Sequence, residues 1–270
     1  MIQAVLFDLD GTLADTAPDL GYALNRMRAA RGLAALPVAT TRPHTSHGAR
    51  GMLGVGLDVT PGHPEYTALR DEFLDIYAAN LCRETRLFPG MAELLAELER
   101  RAVPWGVVTN KAERFTYPLL ELLALRSRAA CIIGGDTTGR IKPDPAPLLA
   151  ASERVGVNPQ NCIYLGDDRR DMEAGRAAGM TVVVAKFGYL NGNDPETWAA
   201  DGMIDKPLEL LQYLELTRLT RFATTTSEQA LTRQRQGTLL RRLMMQPTQQ
   251  PLSLDDQALL FFAFRTGWLE

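Results

Sequence analysis

The chain has 270 residues, is 46% hydrophobic and carries a formal net charge of −3 at pH 7. It is long enough to bury a sizeable core in one or two domains, and its charge is too balanced to suggest a nucleic-acid partner. No apolar run approaches the roughly 20 residues that span a bilayer, and an aspartate at position 8 with no basic leader argues against a signal peptide. The three cysteines, Cys82, Cys131 and Cys162, are odd in number and widely spaced. The last two sit in apolar runs and read as core residues, which points to a reducing cytoplasm.

The first element is Ala4 to Phe7, an apolar run of the kind buried on both faces of a parallel sheet. It leads straight into Asp8 and Asp10, and Gly11 lets the chain turn. Open α/β sheets bind ligands just past the carboxyl ends of their strands. There, one carboxylate can attack as a nucleophile, the other can move protons, and both can hold a hard cation. Asp and Gly are also ordinary turn residues, so the pair alone does not decide. The full string Asp8-Leu9-Asp10-Gly11-Thr12-Leu13-Ala14-Asp15-Thr16 resembles the first motif of the haloacid-dehalogenase superfamily of phosphohydrolases. The resemblance implies a doubly wound parallel α/β sheet with a small inserted α-helical cap. It also implies a magnesium ion and a small phosphate ester as substrate, with Gly11 and Thr12 beside it.

A helix is expected from Pro18 to Arg31, with Leu20, Leu24 and Met27 on one face and Gly32 as its stop. Residues 33–63, rich in proline and glycine, read as loop. A second helix follows from Glu65 to about Leu81, with Tyr66, Leu69, Phe73 and Ile76 on one stripe. Residues 15–85 therefore read as the helical cap, a lid over the site. Within it, Ser46-His47-Gly48-Ala49-Arg50-Gly51-Met52 stands out, because Arg50 has the fork geometry to pair with a substrate carboxylate or phosphate. A solvated arginine in a glycine-rich loop is the alternative. His44, His47 and His63 lack ligand spacing and read as exposed loop residues.

The core, residues 1–14 and 86–216, resumes with a helix from Met91 to Arg101 and a strand from Val103 to Val108 ending in Thr109-Asn110-Lys111. That ending resembles the superfamily's second motif, which places Thr109 and Asn110 on the transferring phosphoryl group. A helix from Arg114 to Leu125 and a strand from Cys131 to Ile133 follow. Ile141-Lys142-Pro143-Asp144-Pro145 reads as an extended segment handing over to a helix near Pro145. It resembles the third motif, in which Lys142 neutralises phosphate and nucleophile charge. The strand Asn161 to Leu165 ends in Gly166-Asp167-Asp168-Arg169-Arg170-Asp171. This resembles the fourth motif and implies a magnesium site built from Asp8, Asp10 and Asp167, with Asp168 and Asp171 behind them. The superfamily usually has serine or threonine where this chain has Asp168, which leaves that residue's role open. A strand from Thr181 to Ala185 and a helix from Pro207 to Leu216 close the core.

Residues 217–270 fall outside the resemblance. They are rich in arginine, threonine and glutamine, and end in an apolar run, Leu259 to Phe264, that Ser253 would cap as a helix. They read as a partly disordered or helical extension, or as a partner-binding or dimer-forming helix.

The strings Gly48-Ala49-Arg50, Val107 to Lys111 and Gly166 to Asp171 are similar to bacterial N-acetylmuramic acid 6-phosphate phosphatases and phosphoglycolate phosphatases. The resemblance implies attack by Asp8 and proton transfer by Asp10. A carboxylate at position 10 argues against carbon–halogen cleavage. A sugar phosphomutase remains an alternative, as does a regulatory protein acting through the extension. The molecule is expected as a monomer or homodimer.

Overall fold

The computed structural model describes residues 2–214, and residues 2–210 form one compact unit. β1 (Ala4–Phe7) is buried along its whole length, as an unbroken apolar run requires. β2 (Ala14–Asp15) follows, and the backbone then departs into helices. α1 (Ala17–Ala30) has Pro18 in its first turn and buries Leu20, Leu24 and Met27. After it come a single turn, α2 (Val38–Thr41), a 3-10 helix (Arg42–His47), α3 (Gly48–Leu57) and α4 (Tyr66–Ala78). These elements bury Leu20, Leu24, Met27, Met52, Leu53, Phe73 and Tyr77 in one cluster. Phe115, from outside the insertion, joins the same cluster. The excursion ends at β3 (Arg86–Leu87), which pairs antiparallel with β2.

The stretch expected as loop, residues 33–63, is largely helical. α3 contains four glycines in ten residues, which cost helix stability in isolation. Here two of them allow close approach. A Cβ on Gly51 would strike the His44 carbonyl, and one on Gly56 would strike the Leu24 side chain.

After β3, α5 (Met91–Arg100) buries Met91, Leu94, Leu95 and Leu98 on one face. β4 (Trp105–Val108), α6 (Glu113–Leu122), β5 (Cys131–Ile133), α7 (Ala146–Val155), β6 (Cys162–Gly166), α8 (Arg169–Ala177) and β7 (Thr181–Ala185) alternate as expected. The segment before α7 is a turn with a cis Lys142–Pro143 bond, not the extended run anticipated. An unanticipated edge strand, β8 (Gly202–Ile204), and a 3-10 turn (Pro207–Leu210) follow.

Six strands form one parallel sheet in the order β5-β4-β1-β6-β7-β8. Alternate residues point to opposite faces. Ala4, Leu6, Val108, Tyr164 and Ile133 pack with Leu148 and Ala151 of α7 and Ala174 of α8. Cys131 and Cys162 are buried free thiols. The order reverses at β1, with β4 on one side and β6 on the other. That switch point is where such sheets bind ligands.

Among the described residues, no helix is long and apolar enough to cross a membrane. The expected extension, residues 217–270 with its Ser253-capped helix, lies outside the described residues.

Candidate active site

Register brings the site together. Phe7 of β1 pairs with Val107 of β4 and with Leu165 of β6. The residues just past these three strand ends are therefore neighbours: Asp8, Thr109 and Asp167. Gly11 makes this possible. Its φ of +88° suits glycine, and a Cβ there would collide with the Asp167 carboxylate.

Asp8, Asp167 and Asp171 present carboxylate oxygens within 4.8 Å of one another. Asp167 Oδ1 accepts from the Thr12 hydroxyl at 2.7 Å, and its Oδ2 accepts from the Tyr189 N–H at 2.8 Å. Lys142 is the cation facing this group. Its side chain is 3% exposed, with Nζ 2.8 Å from Asp8 Oδ1 and 2.7 Å from Asp171 Oδ1. The same ammonium donates to the Tyr164 hydroxyl at 2.8 Å and the Val108 carbonyl at 3.1 Å. Three N–H bonds cannot point at four oxygens. Asp8 Oδ1 is the one left in ionic contact without a directed hydrogen bond.

One lysine does not neutralise three clustered carboxylates, two of them buried. Burial pushes the Asp8 carboxyl up to about 7; Lys142 opposes this, and the charges of Asp171 and Asp10 add to it. Burial, with Asp8 and Asp171, pushes Asp167 well above the usual carboxylate range. Burial works against the charge on Lys142, but Asp171 and Asp8 overcome it and raise its pKa. An under-neutralised set of oxygen ligands, one oxygen lacking a hydrogen-bond donor, fits a hard divalent cation. Asp171 is the most committed of the three. Its Oδ1 contacts Lys142 and Tyr164, and its Oδ2 accepts from the N–H groups of Asp167 and Asp168.

Asp10 lies beside this group in a different environment. Its Oδ1 accepts from the Thr16 hydroxyl at 2.5 Å and sits 2.9 Å from Lys111 Nζ. Burial works against the Lys111 charge, but Asp10 overrides it and the amine stays an ammonium. Lys111 also lies over the Tyr77 ring, 4.7 Å from its centroid.

A cavity of about 370 Å³ opens from Asp8, Asp10, Thr109, Asn110 and Lys142. Leu20, Phe73, Leu74, Tyr77 and Phe115 give it an apolar wall, and Ser46, His47, Asp168 and Arg170 lie along its polar side. Asn110 holds the lysine segment in place: its amide donates to the Lys142 carbonyl and accepts from the Lys142 N–H. Thr12 faces Asp167, and neither Thr12 nor Gly11 lines the cavity. Arg50 is exposed on α3 and also does not line it. His47, placed in a loop by sequence, instead ends the 3-10 helix at the cavity.

Asp168 is the N-cap of α8 and forms a reciprocal capping box with Asp171. It also takes a two-point ion pair from Arg170, at 2.9 and 2.8 Å, which overrides burial and holds its carboxyl low. Lys111, Arg170, Thr16 and Tyr189 were not singled out from sequence. Tyr189 donates its hydroxyl to Asp15 at 2.6 Å, accepts from the Ala17 N–H, and contacts Asp167 through its own N–H. Thr16, Lys111 and Arg170 lie within the motif strings of the first, second and fourth strand ends, which was the local signal for them.

Residues 5–185 match the sequence profile of the haloacid dehalogenase-like hydrolases. Residues 206–270 match the profile of the C-terminal domain of ATP synthase alpha and beta subunits. The chain is 42% identical over 215 residues to an N-acetylmuramic acid 6-phosphate phosphatase of Pseudomonas putida, covering 79% of this chain and 96% of the relative. It is 45% identical over 212 residues to a phosphoglycolate phosphatase of Xanthomonas campestris, covering 77% and 94%. A crystal structure of a predicted phosphoglycolate phosphatase from Haemophilus somnus superposes with a TM-score of 0.71 at 26% identity, covering 79% of this chain and 98% of that one. With two thirds of its length matched by the family profile and relatives at 42–45% identity, the chain belongs to the haloacid dehalogenase-like hydrolase family.

Proposed function

We propose that the protein is a magnesium-dependent phosphomonoester hydrolase that works through an aspartyl-phosphate. The observation that carries this reading is the pairing of two differently placed carboxylates, Asp8 against Lys142 and Asp10 against Lys111. Asp8 attacks phosphorus, forming the Asp8–phosphate bond as the ester P–O bond breaks. Asp10 gives its proton to the departing alkoxide, then takes one from the water that hydrolyses the intermediate. Thr109 and Lys142 face the phosphoryl oxygens and offset their charge. Asn110 holds the Lys142 backbone in place.

Asp8, Asp167 and the Asp10 carbonyl would hold magnesium, and Asp171 would keep Lys142 and the Asp167 backbone in position. When bound, the cation supplies positive charge that offsets repulsion between carboxylate and phosphate. Residues 15–85 act as the cap that covers the site and excludes water.

The named relatives point to 2-phosphoglycolate or N-acetylmuramic acid 6-phosphate as substrate. The cavity favours the larger ester. A volume of about 370 Å³ lies within the usual range for small-molecule sites, roughly 300–1,000 Å³. A two-carbon phosphate ester would leave its apolar wall uncovered. The test is magnesium-dependent phosphate release from both esters, with Asp8→Asn as the blank. The expected result is a preference for the amino-sugar phosphate of about a hundredfold in kcat/KM, a difference of about 2.7 kcal/mol. Release by Asp8→Asn above about a tenth of wild type would contradict the nucleophile assignment.

A further inference from the structure

The loop after β7 ties the candidate cation site to the insertion. Tyr189, 2% exposed, gives its backbone N–H to Asp167 Oδ2 at 2.8 Å, the one hydrogen bond that oxygen receives among the described residues. A backbone N–H has no rotamer of its own, so its aim is set by whatever holds residue 189. Two contacts hold it. Gly188 lies so close to the loop after β1 that a Cβ there would strike the Gly11 carbonyl and the Asp167 side chain. At the other end, the Tyr189 hydroxyl donates to Asp15 Oδ1 at 2.6 Å and accepts the Ala17 N–H at 2.9 Å. Ala17 opens α1, so that N–H is one of the donors a helix start leaves without a partner in the helix.

The insertion meets the same group from its own side. Arg42, in the 3-10 helix after α2, pairs with both oxygens of Asp15, at 2.8 and 2.9 Å. Its guanidinium carbon lies 5.4 Å from the centroid of the Tyr189 ring. Phe88, the first residue after β3, sets its ring against those of Tyr189 and Phe187, with centroids 6.2 and 5.2 Å away. Tyr189 therefore touches the entry to the insertion, its exit, its Arg42 and Asp167. Interiors packed this closely transmit a displacement instead of absorbing it. A shift of Arg42 moves Asp15, Asp15 moves the phenol, and the phenol moves the N–H that holds Asp167.

We infer that Tyr189 is a positioning residue for the cation site, and that the path Arg42–Asp15–Tyr189–Asp167 couples magnesium affinity to the placement of the insertion. The inference rests on the magnesium reading of the Asp8, Asp167 and Asp171 cluster. Coupling of this kind is reciprocal: if the path helps Asp167 hold the cation, the cation steadies the path. A filled cation site thereby steadies the insertion residues just after Arg42 that line the cavity, Ser46, His47 and Ala49.

The test uses the full-length protein stripped with chelator and reads the rise in melting temperature across a magnesium titration, without substrate. The rise reports affinity even in a variant whose metal-free stability is lower. Tyr189→Phe keeps the ring and the N–H and loses the hydroxyl; it should weaken magnesium binding by roughly three- to tenfold. Arg42→Gln, which changes no group in the cation cluster, should weaken it by at least about twofold, and the double variant should be no weaker than Tyr189→Phe alone. Arg31→Gln breaks a different ion pair of the insertion, to Glu72, and should leave binding at the wild-type value. Hydrogen exchange of residues 42–57 gives the reciprocal readout: magnesium should slow it in wild type and not in Tyr189→Phe. Wild-type affinity in Tyr189→Phe or Arg42→Gln would overturn the coupling. So would additive losses in the double variant, equal weakening by Arg31→Gln, or exchange that magnesium leaves unchanged in wild type. No effect of magnesium on wild-type melting would overturn the cation reading and the coupling with it.

Discussion

Asp8 and Asp167 are poised against their own charge. In the metal-free protein the folded pKa of Asp8 is about 7, against an ordinary value of 3.8, and Asp167 is also raised. A carboxyl whose pKa is raised by folding binds its proton more tightly in the folded state. Stability therefore falls as pH rises from about 4 to about 7, and the cost is fully present above 7. A bound divalent cation reverses that cost. Thermal melting should thus show a larger stabilisation by magnesium over chelator at pH 8 than at pH 5.5. A magnesium effect independent of pH would contradict the assignment of these carboxylates to the cation. The two aspartates after β1 were legible because a strand end and a short motif are local features. Lys111 and Arg170 were not, because their roles come from distant partners: Asp10 lies a whole insertion earlier in the sequence, and the Ser46 carbonyl is 124 residues from Arg170.

At the scale of elements, α8 shows one residue in two structural roles. Asp168 caps the helix by accepting from the Arg170 N–H, and pairs with the Arg170 side chain. The two roles separate by substitution. Asp168→Ser keeps an N-cap oxygen and loses the ion pair; Asp168→Ala loses both. Denaturant unfolding should place Asp168→Ala below wild type by about 0.5–2 kcal/mol, with Asp168→Ser recovering most of the difference. Equal loss in both would assign the stability to the ion pair instead. Strands β5 and β7 were readable to the residue, since apolar runs between turn signals need little tertiary context. α3 was not. Its glycines argue against a helix locally, and only tertiary contact, the approach of Gly51 to the His44 carbonyl and of Gly56 to Leu24, gives two of them a reason. β8 is three residues long and takes its conformation from pairing with β7 at the sheet edge.

For the molecule as a whole, the relatives account for about four fifths of the sequence. The Pseudomonas putida phosphatase is covered over 96% of its length by 215 residues of this protein. A version ending after residue 216 should therefore keep magnesium-dependent phosphate release within about twofold of the full protein in kcat/KM. A loss beyond tenfold would tie residues 217–270 to catalysis. The same comparison by size-exclusion chromatography tests the dimer-forming reading of that region.

The insertion leaves the core through β2 and returns through β3, two residues each, paired side by side at Ala14–Leu87 and Asp15–Arg86. Entry and exit are therefore one doorway. A segment whose ends already touch can be lifted out and replaced by another of different length without displacing β1, β4 or β6. The fold thus separates two design problems. On the function proposed above, the strand ends would keep the reaction, while residues between β2 and β3 would form an exchangeable cassette in which new substrate preferences can be tried. Arg170, Phe115, Lys111 and Tyr189 meet the cassette from the fixed side, at the Ser46 carbonyl, the apolar cluster, the Tyr77 ring and the Ala17 N–H, and any replacement must be built to meet them.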